Sequence, residues 1–314
     1  MKLFIKRIIF FVFAFFVTAL ATTIITEKLS HSKLSKRGRG VVIDKNNRLD
    51  SIQGSKIILV GGSNVCYGIN SKIIEDSFKM PVVDMAINAN MGMKFYYEQI
   101  KHALKQGDIV IAIPEYAAYN GNDMMGDAGT YSLALLDNRN LAHLNFYQWL
   151  RFPLYMGDII KTNVTTAFTT GNNKITNGRY QYSIYGDYMG HQEDSSLSST
   201  FKNNKEYQIS NFDTSVYPNH SFIQLVKSFA KFCESKKVKY VHMYPVYARD
   251  MYDPLIVSKI AKQLYPVQFT GIAETYLYGF DSLYDSPNHL LYNIKDERTF
   301  KLVKDIKGII LTKS

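Results

Sequence analysis

The chain has 314 residues, of which 46% are hydrophobic and 14% aromatic, so it is long enough to bury a sizeable core in one or two domains. Its formal net charge is +10, but much of that excess is crowded into residues 28–39, and no nucleic-acid-binding motif accompanies it. We therefore expect no nucleic-acid partner. Two cysteines are too few for a four-cysteine zinc site, and we expect Cys66 and Cys233 to be separately buried thiols.

The N-terminal segment predicts export. An apolar run over residues 8–25 follows three basic residues, and its length approaches the roughly 20 residues that span a bilayer. Basic residues at the start favour a cytoplasmic N-terminus. Residues 1–26 are therefore interpreted as a single-pass anchor in the cell membrane, with the rest of the chain in the periplasm or at the cell surface. A signal peptide cleaved near residues 19–21 is the alternative, and it exports the domain equally well.

Residues 27–52 lack clear periodicity and are predicted to be a linker, and residues 53–314 are predicted to form one α/β domain. Apolar runs alternate there with amphipathic segments, which is typical of a mostly parallel sheet with helices on both faces. A polar insertion at about 120–215 interrupts this pattern. One interpretation is a lid or substrate-binding wall over the sheet, and the other is a solvent-exposed segment without such a role. The predicted strands are 56–60, 81–85, 109–113 and 238–243. The predicted helices are 71–78, 94–105, 141–160 (interrupted at Pro153), 222–236, 254–264 and 296–306.

The first predicted strand ends at two glycines and a serine, Gly61, Gly62 and Ser63. The glycines permit close backbone approach. A side chain at the carboxyl end of a strand, just ahead of a helix, lies where ligands bind in open α/β sheets, and free N–H groups there can hold an anion. Ser63 is therefore a candidate nucleophile. The alternative is a plain strand-to-helix turn with a capping serine.

A serine nucleophile needs a base, and a third group usually orients that base. Among the seven histidines, His289 is distinctive because it lies in a loop just before the last predicted helix, with Asp285 four residues ahead of it. The proline-containing turn between them allows both side chains to lie on the same side of the loop. His242, inside a predicted strand, is expected to be an ordinary core residue.

These features resemble the SGNH (GDSL-type) hydrolase superfamily. The resemblance rests on the segment Ile-Leu-Val-Gly-Gly-Ser63, the loop around Gly92 and the late Asp285–His289 loop. It implies a three-layer α/β/α sandwich with a mostly parallel central sheet, similar to flavodoxin. It also implies that Ser63 is the nucleophile, that His289 is the base oriented by Asp285, and that the N–H groups of Ser63 and Gly92 hold the oxyanion. Such a mechanism needs no metal and no organic cofactor.

The chain departs from the family pattern in its first and last motifs. Gly62 stands where the family has an aspartate. The family separates its aspartate and histidine by three positions, whereas Asp285 and His289 are four apart, with Ser286 three residues before the histidine.

A third departure follows the third strand. Residues 114–117, Pro-Glu-Tyr-Ala, replace the family's Gly-x-Asn-Asp, so the usual asparagine oxyanion donor is missing from its place. Glu115 and Tyr116 are predicted to bind substrate there, and the alternative for Glu115 is pairing with a nearby lysine or arginine. Asn64 is the candidate replacement donor, Asn88 and Asn90 are further candidates, and the alternative is that the site lacks one donor.

Topology and motifs together resemble a membrane-anchored branch of the superfamily, which includes proteins similar to the D-alanyl transfer protein of teichoic acids and the alginate acetylation proteins. This implies O-acyl (acetyl) transfer or ester removal on an extracytoplasmic polysaccharide. The implied partners are the lipid bilayer, a cell-surface glycan and a membrane-bound O-acyltransferase. Two alternatives stay open: a catalytically degenerate domain that binds glycan or acts as a scaffold in envelope polysaccharide assembly, and an anchored lipase or esterase.

Overall fold

The centre of the protein is a five-stranded sheet in which all strands are parallel. The computed structural model describes residues 1–121, 124–169, 178–192 and 218–311. The strands of the main sheet are β1 Ile57–Gly61, β2 Val82–Asp84, β3 Ile109–Ile113, β4 Lys239–Met243 and β6 Phe269–Thr270. Their order is β2-β1-β3-β4-β6. A separate two-stranded parallel sheet contains β5 Tyr247–Ala248 and β7 Leu277–Tyr278.

Successive residues of the central strands pack on opposite sides of the sheet. Ile58 and Val60 belong to one core cluster, whereas Ile57 and Leu59 belong to the other. Because both faces are covered, β1 is a continuous apolar run rather than an alternating one. The predicted α/β class is confirmed, and the four predicted strands are all present, with ends that differ from the prediction by one residue at most.

Helices cover both faces of this sheet. The helices of the described residues are α1 Lys2–Leu34, α2 Val41–Ser51, α3 Ser63–Gly68, α4 Ser71–Phe78, α5 Met93–Lys101, α6 Ala128–Leu136, α7 Phe146–Phe168, α8 His220–Ser235, α9 Pro254–Leu264 and α10 Lys295–Leu311. The predicted helices at 71–78 and 254–264 match α4 and α9. Side chains of α5, α8 and α9 pack in the first core cluster, and side chains of α3, α4 and α10 pack in the second.

The N-terminal helix is long and apolar enough, by length and composition, to cross a membrane. This is consistent with either an anchor or a signal sequence. The helix continues to Leu34, beyond the predicted anchor, so the first part of the predicted linker is helical.

The second part of the predicted linker belongs to the domain. α2 packs its apolar residues in the main core. On the same helix Lys45 is 1% exposed, and its Nζ donates to the carbonyl oxygens of Asp84, Ala86 and Gly186 at 2.8, 2.7 and 2.8 Å. Residues 41–51 therefore help to hold the sheet edge rather than forming a flexible connection.

The described part of the predicted insertion is ordered around two elements. α7 begins at a capping box formed by Asn145 and Gln148, and it continues through Pro153 to Phe168. The segment 178–192 lies against the sheet edge, where Tyr185 O accepts a hydrogen bond from the backbone of β2 at 2.8 Å. This segment therefore lies along the edge strand β2. The rest of the predicted insertion, at 122–123, 170–177 and 193–215, lies outside the described residues.

Candidate active site

Ser63 begins a short helix directly after β1. The strand ends at Gly61, Gly62 is the N-cap residue with extended backbone, and α3 starts at Ser63. The sequence predicted the turn but not this helix, because six residues are too few to show a helical period. Ser63 is half-buried at the carboxyl end of β1, which is the position that the glycine-serine pattern predicted.

Glu115 is the hydrogen-bond partner of Ser63. Ser63 Oγ donates to Glu115 Oε1 at 3.2 Å, and the backbone N–H of Asn64 donates to the same oxygen at 3.1 Å. Glu115 follows β3, which pairs with β1, so the two strand ends lie side by side. A Cβ at Gly62 would lie 2.8 Å from Glu115 Cδ. Glycine at position 62 therefore leaves room for the carboxylate to reach the serine.

The Asn64 side chain is engaged within the protein. Its Nδ2 donates to Ile113 O at 3.1 Å, and its Oδ1 accepts from Arg298 Nη2 at 3.1 Å. Arg298 is fully buried, also donates to Asn64 O, and has its pKa lowered to about 10 by burial. Asn64 thus ties α3 to α10 in this structure. Sequence reasoning missed Arg298, because a basic residue on an amphipathic helix is normally assigned to solvent.

Gly92 lies in a loop that abuts the first turn of α3. Its φ is +79°, a left-handed value that favours glycine, and it is the N-cap residue of α5. The loop is close because a Cβ at Gly62 would lie 2.9 Å from Ala89 Cβ. The N–H of Gly92 donates to Ala89 O at 3.0 Å. The Gly92 loop therefore lies beside the turn that precedes Ser63, and its Gly92 N–H is bonded within the loop.

A small loop holds Asp285 against His289. Leu283 and Leu290 form an antiparallel bridge at its base, and both pack in a minor core cluster with side chains of β5 and β7. His289 Nδ1 and Asp285 Oδ1 are 2.5 Å apart. The bridge brings the two ends of the loop together, which explains how a four-residue spacing still gives a hydrogen-bonded pair.

Tyr67 connects this pair to the helix that begins at Ser63. The Tyr67 ring stacks on the His289 ring with centroids 4.3 Å apart and an interplanar angle of 8°. Tyr67 lies four residues after Ser63 in α3, and residues at this spacing share a helix face. In the described part of the chain no hydrogen bond joins Ser63 to His289, because the serine hydroxyl is directed at Glu115.

His191 is a buried neighbour of the histidine pair that sequence reasoning did not select. It is 3% exposed and stacks on Tyr188 with centroids 5.5 Å apart and an interplanar angle of 6°. Within the described residues no hydrogen bond of regular geometry reaches either ring nitrogen, and the Tyr67 backbone is a nearby polar group. Burial, with a contribution from the nearby charges of Lys295 and His289, lowers its pKa to about 4. A neutral imidazole is thus held beside the candidate base.

Cys66 and Cys233 are free and buried, as predicted. Burial raises the pKa of both thiols, to about 12 at Cys233, and the Asp84 carboxylate raises that of Cys66 further. Although Cys66 is only three residues from Ser63, it is a protonated thiol and a poor nucleophile.

Tyr116, predicted to bind substrate, lies in the core. It is 1% exposed and packs edge to face with Tyr247, with ring centroids 5.3 Å apart. A groove of about 340 Å³ opens at the same end of the sheet, where Tyr244 follows β4 and Gly271 follows β6. Glu274 also lines it. Within the described residues, no group of three or more His, Cys, Asp or Glu side chains is placed to hold a metal ion.

No protein-family model matches the chain, and no curated protein matches it. Support for a function therefore comes from the contacts of Ser63, Glu115, His289 and Asp285.

Proposed function

We propose that the protein is a membrane-anchored serine acyl-ester enzyme of SGNH type, with a three-layer α/β/α domain outside the cytoplasm. The proposal rests on one observation: residues near the start and the end of the domain sequence come together at α3. Ser63 begins this helix, and the His289–Asp285 pair stacks on its next turn through Tyr67. A serine, a histidine and a carboxylate with these roles are the parts of a nucleophilic acyl-transfer site.

In the first half-reaction Ser63 Oγ attacks the acyl carbonyl carbon, and its proton passes to His289 Nε2. Nε2 is the available ring nitrogen because Nδ1 is directed at Asp285. The carboxylate stabilises the imidazolium that forms. The backbone N–H of Ser63 lies in a first helical turn, where N–H groups lack intrahelical acceptors, and it stabilises the oxyanion. His289 then returns the proton to the departing alcohol oxygen as the ester bond breaks.

In the second half-reaction His289 removes a proton from the acceptor, whose oxygen attacks the acyl-Ser63 ester. The imidazolium protonates Ser63 Oγ as the acyl group leaves. A sugar hydroxyl as acceptor gives transfer, and water gives hydrolysis. From the resemblance of its anchored topology, we propose an O-acyl group, in particular acetyl, on an extracytoplasmic polysaccharide. For transfer, a membrane-bound O-acyltransferase is the proposed donor partner.

Glu115 holds the serine in its resting arrangement. Because the Ser63 proton is directed at Glu115 Oε1, the reaction requires the hydroxyl to turn about the Cα–Cβ bond towards His289. The carboxylate keeps its bond to the backbone N–H of Asn64 during that movement. Glu115 thus positions the nucleophile, and its carboxylate also lines the proposed acyl site.

A second candidate is a non-catalytic SGNH-like domain that binds glycan or serves as a scaffold. It is favoured by one specific observation: the N–H groups of Asn64 and Gly92 are both bonded within the protein, to Glu115 and Ala89. In this alternative the Glu115 carboxylate fills the acyl site permanently.

Hydrolysis of an aryl acetate by the full chain in detergent separates the two candidates. We expect Ser63→Ala to lower the rate by about 10³-fold or more, towards the uncatalysed background. The matched control is Ser132→Ala on α6, whose hydroxyl only bonds Ala128 O within its own helix, and it should keep the full rate. A wild-type rate no higher than that of Ser63→Ala would overturn the enzymatic proposal and favour the scaffold.

A further inference from the structure

The groove at the carboxyl end of the main sheet lies to one side of Ser63. Ser63 follows β1, whereas the groove is lined by Tyr244, which follows β4, and by Gly271, which follows β6. In the order of the sheet these strands are two and three positions from β1. At the usual strand spacing this places the groove about 10–14 Å from β1. Its volume of about 340 Å³ is typical of a site for a small molecule or for one part of a longer ligand.

Tyr116 connects the groove to the candidate active site. Tyr252 lines the groove, and its ring centroid is 6.4 Å from that of Tyr116. Tyr116 directly follows Glu115, whose carboxylate accepts the hydrogen bond of the Ser63 hydroxyl. The wall of the groove therefore packs against the neighbour of the residue that positions the nucleophile, and a long ligand in the groove can extend towards Ser63.

The groove presents two tyrosine rings and one carboxylate. Tyr252 donates its hydroxyl proton to the carboxylate of Glu274. The Tyr244 ring stacks on Phe269 with centroids 4.2 Å apart and an interplanar angle of 10°, which fixes its orientation. Burial raises the pKa of both tyrosines, to about 12 at Tyr252, and the Glu274 carboxylate contributes to both shifts. The carboxylate thus lies close to both hydroxyl groups.

The lining of the groove carries no positive charge. None of the described residues that line it is a lysine, an arginine or a histidine, although the chain as a whole has a net charge of +10. An ammonium group is the ligand chemistry that such a surface favours. It forms charge-assisted hydrogen bonds with a carboxylate, and it is attracted to the faces of tyrosine rings.

We infer that the groove binds an amino sugar whose ammonium group pairs with Glu274. The ring hydroxyls of the sugar bond to Ser258, which is exposed in the groove, and its C–H faces pack on Pro254 and Val257 beside the tyrosines. The groove thereby selects a polysaccharide that has free amino groups and holds it while a neighbouring unit reacts at Ser63. The inference rests on the proposed function, which supplies the polysaccharide as substrate.

Two sugar tetramers that differ only in N-acetylation test the inference. Isothermal titration calorimetry measures the binding of a glucosamine tetramer and of an N-acetylglucosamine tetramer to the full-length protein in detergent, in mildly acidic buffer that keeps the amines charged. We expect the glucosamine tetramer to bind more tightly by about tenfold or more, because only this tetramer carries ammonium groups. Glu274→Gln keeps the shape of the side chain but removes its charge, and it should lower the affinity for the glucosamine tetramer by a similar factor.

Glu297→Gln is the matched control. Glu297 is exposed on α10 and pairs with Lys301 at 2.6 Å, and its variant should bind the glucosamine tetramer as tightly as the wild-type protein. Equal binding of the two tetramers, or binding of neither, would overturn the inference. An unchanged affinity in Glu274→Gln, or an equal loss in Glu297→Gln, would also overturn it, because the attraction would then not come from the groove.

Hydrolysis of the aryl acetate by the wild-type protein is a separate readout. Ser63-dependent hydrolysis without binding of the glucosamine tetramer would overturn the inference and leave the proposed chemistry standing. Binding that depends on Glu274 without this hydrolysis would support the groove as a glycan site and favour the scaffold candidate.

Discussion

Ser63 directs its hydroxyl at Glu115, and the carboxylate oxygen that receives it also receives the backbone N–H of Asn64. The SGNH motif that the sequence resembles has an aspartate at position 62 and an asparagine after the third strand. Here position 62 is glycine, the position of the asparagine is Tyr116, and the preceding residue, Glu115, fills the space beside Gly62. The glycine at 62 therefore leaves room for the Glu115 side chain.

This relationship predicts that Gly62→Ala lowers stability through Glu115. The new Cβ would lie 2.8 Å from Glu115 Cδ and 2.9 Å from Ala89 Cβ, and overpacking of this kind costs about 1–3 kcal/mol. We expect a lower thermal unfolding midpoint in detergent, and a smaller drop when the same change is made in a Glu115→Ala background.

Gly54→Ala is the matched control, because nothing lies within 4 Å of a Cβ built there. It should change the midpoint little. If Gly62→Ala were equally destabilising with and without Glu115, the two positions would be uncoupled, and their contact would not explain the motif.

Lys45→Met should be strongly destabilising. The ammonium group is the shared donor for the carbonyl oxygens of Asp84, Ala86 and Gly186. Its loss leaves three buried carbonyl oxygens without this donor and removes the cation that lies 3.9 Å from the buried Asp84 carboxylate, and breaking a buried charged pair of this kind costs about 3–5 kcal/mol. Lys72→Met is the control: that lysine is mostly exposed and pairs with Asp76 on the surface. Chemical denaturation of both variants checks this, and equal effects would contradict the role assigned to α2.

His191→Phe should stabilise the protein, and more so in acid. At neutral pH the change removes buried ring nitrogens that make no hydrogen bond of regular geometry within the described residues, which is worth about 1–3 kcal/mol. The folded-state pKa is lowered to about 4, chiefly by burial, so below about pH 6.5 the unfolded chain binds a proton that the folded chain does not. Wild-type stability therefore falls between about pH 6.5 and 4.

The advantage of His191→Phe should grow by up to about 1.4 kcal/mol for each pH unit in that window. Thermal unfolding of both proteins between pH 7.5 and 5 measures it. A difference that stays constant over this range would mean that His191 is protonated equally in the folded and unfolded chains. Ester hydrolysis by the same variant reports whether the neutral ring also supports His289.

Local sequence signals were sufficient for four of the five strands of the main sheet and for the candidate serine, whereas β6, which has two residues, was not predicted. β1 and β3 are continuous apolar runs because both of their faces are covered. Such runs can be recognised in the sequence without knowing which strands and helices pack against them. The glycines before Ser63 and the proline turn before His289 are equally local, and the structure places both residues at α3, the serine directly and the histidine through Tyr67.

What the sequence did not reveal depends on long-range burial of polar groups. Lys45 made residues 41–51 look like a solvated linker, but its acceptors lie about forty or more residues away. Arg298 is fully buried on α10, whereas Phe300 on the same helix is 60% exposed. Lys45 and Arg298 each bind buried groups that are distant in sequence, and the local spacing of apolar residues cannot reveal such partners.

The central claim is that Ser63 is a nucleophile activated by His289, and labelling with a fluorophosphonate tests it most directly. Peptide mass spectrometry of the labelled full-length protein should locate the phosphonyl group on Ser63. We predict no adduct in Ser63→Ala, labelling slowed by about 10²-fold or more in His289→Ala, and wild-type labelling in His220→Ala, an exposed histidine at the start of α8. Absence of an adduct on Ser63 in the wild-type protein, or equal labelling in His289→Ala, would contradict the account.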